Sequence, residues 1–240
     1  MIVRAAVVPH PPLLVPELVA GTHPDVSAVR DACVAAAAAL VGVADRWVAV
    51  GADAAALVSA PLGPEAVGTF AGFGVDVVVR LDAGSTAEPD PAMPLPALVA
   101  GWLRARVDAN QVTMWMLPAD LPAEDCRALG RRLAEEHDGP DPVSLLIVGD
   151  GSPHHGERAV GRPDERADAF DDQVHAAFTA ADPAALLALD VGLATELDAV
   201  GRAPWQVLAG VIDDSWTCVT ADLLVPFGVA YHVAVLEPGA

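Results

Sequence analysis

Hydrophobic residues along this chain fall into two kinds of block. Short runs rich in Val, Ile, Leu and Ala predict buried strands, and longer segments with helical spacing or high alanine content predict helices. The predicted strands cover residues 2–8, 46–50, 75–81, 111–117, 143–148, about 216–225 and 229–236. The predicted helices cover residues 25–40, 95–107, 121–137, 164–180, 183–189, 191–200 and 204–211.

Strands and helices alternate along the sequence, and the last two strands are joined by the turn Pro226-Phe227-Gly228. This order predicts an α/β fold with a central, largely parallel or mixed sheet, flanked by helices on both faces. The strand at 75–81 is expected near an edge, and Gly51 is expected to end the strand that begins at Arg46. No internal repeat or linker divides the sequence, so we expect a single domain over residues 1–240.

The charge balance argues against two classes of partner. The chain has 33 acidic and 13 basic residues, a formal net charge of −20, so its surface repels phosphate backbones and anionic membranes. No apolar run approaches the roughly 20 residues of a membrane helix, and Pro9 interrupts the N-terminal run. The three cysteines are widely spaced and form no CxxC pair, which predicts reduced thiols. We expect a cytoplasmic protein that binds neither nucleic acid nor membranes.

Polar side chains follow three of the predicted strands. In open α/β sheets, sites gather outside the carboxyl ends of parallel strands, so these side chains are expected to converge. The first strand is followed by His10, the second by Asp53, and the strand at 143–148 by Asp150, Ser152, His154 and His155. This convergence is the main indication of a site that the residues give by themselves.

His10 lies in the segment Pro9-His10-Pro11-Pro12. The flanking prolines stiffen the backbone, which lowers the cost of holding an imidazole in position for a metal ion. The alternative is a histidine that only hydrogen-bonds a loop carbonyl, and the sequence does not separate these two interpretations.

Two adjacent histidines lie in the glycine-rich loop from Gly149 to Gly156. A neutral imidazole that titrates near pH 7 suits proton transfer to or from a phenolic oxygen. Because adjacent side chains usually point in different directions, at most one of His154 and His155 is expected to act. The alternative is a solvated loop with two surface histidines.

The carboxylates give the weakest individual signals. Asp53 can ligate a cation, but an aspartate in that position more often caps the following turn, here residues 54–57. Asp222 lies in the strand that begins at Trp216 and is a candidate ligand. The other acidic candidates nearby are Asp213, Asp214 and Glu237.

Several segments carry a joint resemblance. They are Val7 to Glu17, Gly149 to His154, Phe170-Asp171, Asp182 with Leu186, Leu187 and Asp190, and Pro226 to Tyr231. In this order they resemble the class III extradiol ring-cleavage dioxygenases, the group typified by the catalytic subunit of protocatechuate 4,5-dioxygenase. The likeness is spread over the whole chain and is strongest at both ends and around Asp150.

The resemblance implies a mononuclear metal site. Members of the family hold a divalent metal, usually Fe(II), through two histidines and a carboxylate, and a further histidine acts as acid and base while a catecholic ring opens. By resemblance, His10 takes the place of the first metal ligand, and His154 or His155 that of the acid/base residue. The family often forms dimers, so we expect a homodimer.

This chain departs from the family at the other two ligands. Asp53 stands in the place of the second histidine, and Asp222 is the nearest candidate for the third ligand. A set with one imidazole and two carboxylates favours Mg, Ca or Mn over Fe(II). His232 adds a second imidazole only if the last strand faces the pocket.

The sequence therefore leaves two alternative functions open. The first is an extradiol-type dioxygenase that acts on a small aromatic substrate through Fe(II) or another divalent metal. The second is a catalytically degenerate member that keeps the pocket for ligand or protein binding. The same fold includes relatives without dioxygenase activity, such as the Memo-type proteins, so fold alone does not decide between them.

Overall fold

A computed structural model describes residues 1–21, 23–53, 55–56 and 58–239. Its strands are β1 Ile2–Val8, β2 Arg46–Asp53, β3 Ala60–Leu62, β4 Val67–Thr69, β5 Val78–Arg80, β6 Gln111–Pro118, β7 Val143–Val148, β8 Trp216–Leu224 and β9 Tyr231–Pro238. Seven of them form one mixed sheet in the order β3-β6-β2-β7-β1-β9-β8, and β4 pairs with β5 in a small second sheet.

The middle of the main sheet is parallel. β6, β2, β7 and β1 run in the same direction, whereas β9 is antiparallel to β1 and β8 is antiparallel to β9. Val7 of β1 lies opposite Ile147 of β7 on one side and Ala234 of β9 on the other. The first strand of the chain is therefore held between two strands from its second half, and the predicted mixed sheet is confirmed.

Seven α-helices cover the two faces of the sheet in the described part of the chain. They are α1 Pro24–Val41, α2 Leu95–Arg106, α3 Ala123–Glu136, α4 Arg166–Ala180, α5 Pro183–Leu187, α6 Val191–Glu196 and α7 Arg202–Val211. The apolar sides of α1 and α2 pack in one core, and those of α3 to α7 pack in the other. The central strand β7 is buried along its whole length because both of its faces are covered.

Helices α3 and α7 approach each other closely at a pair of glycines. A Cβ atom added at Gly130 would lie 2.1 Å from the carbonyl oxygen of Val207, and one added at Gly210 would lie 2.3 Å from the carbonyl oxygen of Arg127. Neither position has space for a side chain, so the two glycines set the distance between the helices.

Two local predictions are wrong, and the short strands β3 and β4 are absent from the prediction. Gly51 does not end β2, which continues to Asp53; a Cβ at Gly51 would lie 2.6 Å from Pro96, so packing rather than chain reversal accounts for this glycine. The segment at 75–81 supplies only β5, which pairs with β4 and not with the main sheet. The edge strand β3 is absent from the prediction because it contains Pro61, which is atypical of a strand.

The predictions about membrane helices and cysteines concern the helices and three side chains of the structure. Among the described residues, no helix is long and apolar enough to cross a membrane. Cys33, Cys126 and Cys218 are not paired in disulfides in the structure.

Candidate functional site

The four parallel strands end side by side and form the carboxyl edge of the sheet. In spatial order, β6 ends at Pro118, β2 at Asp53, β7 at Val148 and β1 at Val8. The connections from β1 and β2 run over one face, and those from β6 and β7 run over the other. Such a change of face opens a crevice beyond the strand ends, which is where α/β folds bind ligands.

His10 lies in this crevice, just beyond β1. His10 is only 8% exposed. Its backbone N–H donates to Oδ1 of Asp150 at 2.7 Å, and its ring Nδ1 lies 3.7 Å from the same oxygen. Nδ1 has no hydrogen-bond partner among the described residues. The loop after β7 therefore positions the backbone of His10 and leaves one buried ring nitrogen unpaired.

Asp150 also influences two groups on neighbouring elements. Burial raises the pKa of the Tyr231 hydroxyl at the start of β9, and the negative charge of Asp150 raises that pKa further. Burial and then Asp150 likewise raise the pKa of the Cys33 thiol on α1. Both groups are consequently protonated at neutral pH, so Cys33 is a poor nucleophile.

His154 is paired with an aspartate that sequence reasoning did not identify. Its Nε2 lies 3.0 Å from Oδ2 of Asp198, and its Nδ1 lies 2.7 Å from the carbonyl oxygen of Arg162. The hydrogen bond with Asp198 raises the pKa of His154, and the Arg162 carbonyl adds to this effect. Because both partners accept hydrogen bonds, this arrangement favours the imidazolium.

Asp198 adopts a left-handed backbone conformation, with φ of 50°. Few residues other than glycine adopt this region, although aspartate tolerates it better than most. This backbone at the end of α6 presents the carboxylate to His154. No feature of the local sequence indicates the pairing, because it joins residues 44 positions apart.

His155 points the other way, into the protein. Its Nδ1 lies 2.7 Å from Oδ1 of Asp168, and its Nε2 lies 2.7 Å from Oδ2 of Asp171. The hydrogen bond with Asp171 raises the pKa of His155 despite its burial, and Asp168 contributes in the same direction. Both ring nitrogens are thus engaged in His155, as they are in His154, so hydrogen bonding does not distinguish the two acid/base candidates. They differ in exposure, because the His154 side chain is 15% exposed and that of His155 is 7% exposed.

Asp171 joins His155 to a second histidine. Its Oδ1 accepts a hydrogen bond from Nε2 of His232 at 2.8 Å, and its Oδ2 also accepts the backbone N–H of Ser152 at 3.1 Å. Burial alone would raise the pKa of Asp171, but the hydrogen bonds from His155 and His232 outweigh it and hold that pKa below its ordinary value. We call His155, Asp171 and His232 the buried triad.

His232 does not supply a second imidazole to the crevice. Its side chain is fully buried, and its ring packs edge-on against Phe178 and Trp205, with centroid distances of 5.8 and 5.2 Å. The signal for the buried triad was present in the sequence of α4. Asp171 falls on the same helical face as Ala167 and Val174, so a carboxylate on the apolar face predicts a buried partner.

The structure does not bring the three metal-ligand candidates together. Asp53 ends β2 and Asp222 lies in β8, with β7, β1 and β9 between them. At about 4.8 Å per strand, four steps separate their backbones by roughly 19 Å. Donors to one metal such as zinc lie about 2.0–2.2 Å from the ion and hence within about 4.4 Å of each other.

The Asp53 side chain also has another role. Its Oδ1 accepts the backbone N–H of Ala55 at 2.9 Å, and the backbone carbonyl oxygen of Asp53 accepts the backbone N–H of Ala56. This is the turn-capping alternative considered above; residues 54 and 57 of that turn lie outside the described residues. Asp222 is exposed on the edge strand. The side chains of His10, Asp53 and Asp222 therefore do not fit together around one metal ion, and within the described ranges no group of three His, Cys, Asp or Glu side chains is arranged to hold one.

A cavity of about 280 Å³ lies over the ends of β2 and β6. Arg202 fixes one wall, because its buried guanidinium donates to the carbonyl oxygen of Ala119 at 2.6 Å. The cavity is lined by Ala56, Ala119, Asp120, Ala194, Thr195, Asp198, Ala199 and Val200. It thus connects the turn after Asp53 with the partner of His154, whereas His10 does not line it. A larger cleft of about 870 Å³ lies at the opposite end of the sheet; of the acidic candidates named from the sequence, Asp213 and Asp214 line it.

Comparison with known proteins supports the fold and identifies no activity. No family model matches this chain, and no curated protein matches it. The crystal structure of an uncharacterized protein, JW3007 from Escherichia coli K12, is similar over 98% of this chain and 99% of that chain, with 16% sequence identity and a TM-score of 0.52. At this identity the likeness shows a shared fold alone.

Proposed function

We propose that this chain binds a small neutral or cationic molecule in the carboxyl-edge cavity and does not cleave catechols through a mononuclear iron. The observation that carries the proposal is the cavity itself, which is bordered by the carboxylates of Asp120, just after β6, and of Asp198, just after α6. Its volume lies near the lower limit for ligand pockets, which suits a small molecule. The wide separation of Asp53 and Asp222 supports the second half of the proposal.

The charges around the cavity select the ligand. Asp198 is paired with the His154 imidazole, so its charge is largely offset. Asp120 is exposed and forms no ion pair within the described part of the chain, so its charge is offset only in part, by the buried guanidinium of Arg202. The formal charge of −20 on the whole chain adds to the same field. A carboxylated ligand is therefore disfavoured relative to a neutral or ammonium-bearing one.

A series of three probes with the same ring tests the proposal. Catechol is neutral, dopamine carries an ammonium and protocatechuate carries a carboxylate, so isothermal titration calorimetry at pH 7 compares charge at constant ring chemistry. We expect affinity to fall in the order dopamine, catechol, protocatechuate. Asp120→Asn should weaken dopamine binding by about threefold, since an ion pair near the surface contributes up to about 1 kcal/mol. Asp214→Asn, an equal charge change at an exposed residue of the opposite end, should leave it unchanged.

Three results would contradict this proposal. The first is tightest binding of protocatechuate, and the second is no measurable binding of any of the three probes. The third is an equal effect of the Asp120 and Asp214 substitutions on dopamine binding.

A second candidate function is the extradiol dioxygenase, and the unpaired, buried Nδ1 of His10 favours it. Such a nitrogen is available to a divalent metal, which would supply the electron transfer to O2 that ring cleavage needs. Anaerobic Fe(II) reconstitution followed by catechol in air tests this candidate through the yellow ring-opened product. We expect no turnover. Robust turnover that disappears in both His10→Ala and His154→Ala would establish the dioxygenase and overturn the first proposal.

A further inference from the structure

The cleft of about 870 Å³ at the end of the sheet opposite to the crevice has walls from α3, α5, the end of α7 and the turn between α7 and β8. We call it the α3 cleft. The contact of Gly130 with Gly210 brings the end of α7 against α3, and Gly210 itself lines the cleft. Its volume lies in the upper part of the range for ligand pockets, so it has room for a molecule of several linked units.

Two exposed arginines of α3, Arg127 and Arg131, line this cleft. They lie four residues apart and so share one face of the helix, an arrangement that costs stability because the charges are alike. Within the described ranges neither forms an ion pair, although Glu135 lies four residues after Arg131. The next residue, Arg132, does pair with its own neighbour Glu136, at 3.5 Å. The two cleft arginines therefore keep their charges free in a chain that has 33 acidic residues.

The turn after α7 gives the cleft negative charge. Oδ1 of Asp213 accepts the backbone N–H of Ser215 at 2.9 Å and its hydroxyl at 2.6 Å, and these hydrogen bonds hold the pKa of Asp213 below its ordinary value. Asp214 is exposed and takes part in no ion pair among the residues that the structure describes. Residues 209–211 in the last turn of α7 also line the cleft, and the carboxyl end of a helix carries partial negative charge. This part of the cleft favours a cation.

Apolar side chains complete the lining. Pro183 and Leu187 of α5 and Val211 of α7 are half-buried in the free protein and lie in the same cleft. A ligand that covers them would remove more of their apolar surface from water. The α3 cleft thus combines a cationic pair, an anionic turn and an apolar surface.

We propose that the α3 cleft binds a short peptide with free termini and apolar side chains. Its carboxylate ion-pairs with Arg127 and Arg131, since guanidinium groups match the planar geometry of a carboxylate. Its ammonium lies against the end of α7 and Asp214. A ligand with a carboxylate alone is repelled by Asp214, and one with an ammonium alone is repelled by the two arginines, so both charges are required. A lone amine such as dopamine is therefore not a ligand of this cleft.

Four probes test the charges and the size of the ligand by isothermal titration calorimetry at pH 7, where both peptide termini are ionised, and at about 0.15 M salt. They are the tripeptide alanyl-leucyl-alanine, its N-acetylated form, its carboxyl-terminal amide, and leucine. We expect the free tripeptide to bind tightest. Each blocked form should bind about fivefold more weakly, the factor that corresponds to one ion pair near the surface. Leucine should also bind more weakly, because it covers less of the apolar surface.

Substitutions assign each terminus to its partner. Arg131→Gln should weaken binding of the free tripeptide about fivefold and abolish its advantage over the amide. Arg132→Gln removes the same charge from the next residue of the helix, which does not line the cleft, and should leave binding unchanged. Asp214→Asn should abolish the advantage of the free tripeptide over the acetylated form. All three residues are exposed, so nearly unchanged melting temperatures should show that the variants remain folded.

Four results would overturn the proposal. The first is no heat of binding at millimolar tripeptide. The second is a blocked form that binds as tightly as the free tripeptide. The third is an equal effect of Arg131→Gln and Arg132→Gln on binding. The fourth is leucine that binds as tightly as the tripeptide, which would mean that the ligand is a single amino acid.

Discussion

The buried triad makes a prediction about stability that can be worked from its contacts. In Asp171→Asn the side chain keeps its shape but loses its charge and one acceptor oxygen. The natural carboxylate accepts hydrogen bonds from His155, His232 and the backbone of Ser152. An asparagine can accept on one oxygen only, so its amide must face at least one of these donors. Either a donor is left unpaired or His232 moves its proton to Nδ1, which has no described partner.

The expected loss follows from the burial of the triad. Removing one partner of a buried ion pair costs about 3–5 kcal/mol. Because asparagine retains part of the hydrogen bonding, we expect about 3 kcal/mol in the free energy of unfolding. In a chain of 240 residues this corresponds to a melting temperature lower by about 6–12 °C. Urea denaturation at pH 6.5 measures the first quantity, and calorimetry the second.

Asp168→Asn is the matched control. It removes the same charge from the other nitrogen of the same imidazole, but the Asp168 side chain is 79% exposed. An exposed ion pair contributes at most about 1 kcal/mol, so this variant should lose much less stability than Asp171→Asn. Equal losses in the two variants would refute the reasoning, since they would mean that burial of Asp171 does not matter.

The pH dependence of the same pair has a definite sign. Because the folded-state pKa of His155 lies above its unfolded value, its contribution is fully present below about pH 6.5 and is lost as pH rises through the folded-state pKa. Replacement of Asp171 removes the larger of the two hydrogen bonds' effects that raise the pKa of His155. The difference in stability between wild type and Asp171→Asn should therefore narrow as pH rises from 6 to 8.5, and a gap that widens over this range would contradict the assignment.

Two further predictions concern single contacts. The Asp198 carboxylate raises the pKa of His154, so Asp198→Asn should lower that pKa toward 6.5 in an NMR titration of the imidazole protons; an unchanged titration would mean that the contact is absent in solution. Gly130→Ala should destabilise the protein by about 2 kcal/mol or more in urea denaturation, because the new Cβ meets a carbonyl of the facing helix. Gly139→Ala, where nothing lies within 4 Å, is its control, and comparable losses in both would argue against close packing of α3 on α7.

The sequence predicted the long strands of the main sheet better than the strands of three residues. β1 and β7 have the predicted bounds, 2–8 and 143–148, because strands covered on both faces are continuous apolar runs. β3 and β4 have three residues each and too little pattern to be recognised. Long-range pairing also leaves no local trace, so the separate β4–β5 sheet could not be distinguished from a main-sheet strand.

The candidate site was predictable in position but only partly in its partners. Parallel strands predicted that His10, Asp53 and the loop after β7 lie at the same edge, and they do. The pairing of His154 with Asp198 depends on a left-handed residue after α6, which no periodicity indicates. The opposite orientations of His154 and His155 follow from their being adjacent, yet the sequence does not say which one turns inward.

The position of β1 between β7 and β9 has a consequence for synthesis of the chain. The ribosome makes Ile2–Val8 long before its neighbours in the sheet, which begin at Val143 and Tyr231. Until β7 and β9 have been synthesised, the apolar strand β1 is unpaired and prone to aggregation. Pairing over such sequence separations is also slow, because long loops must close before the contacts form. His10, which follows β1, and Asp150, which follows β7, meet only once these strands have paired, so we expect the crevice to form late in folding.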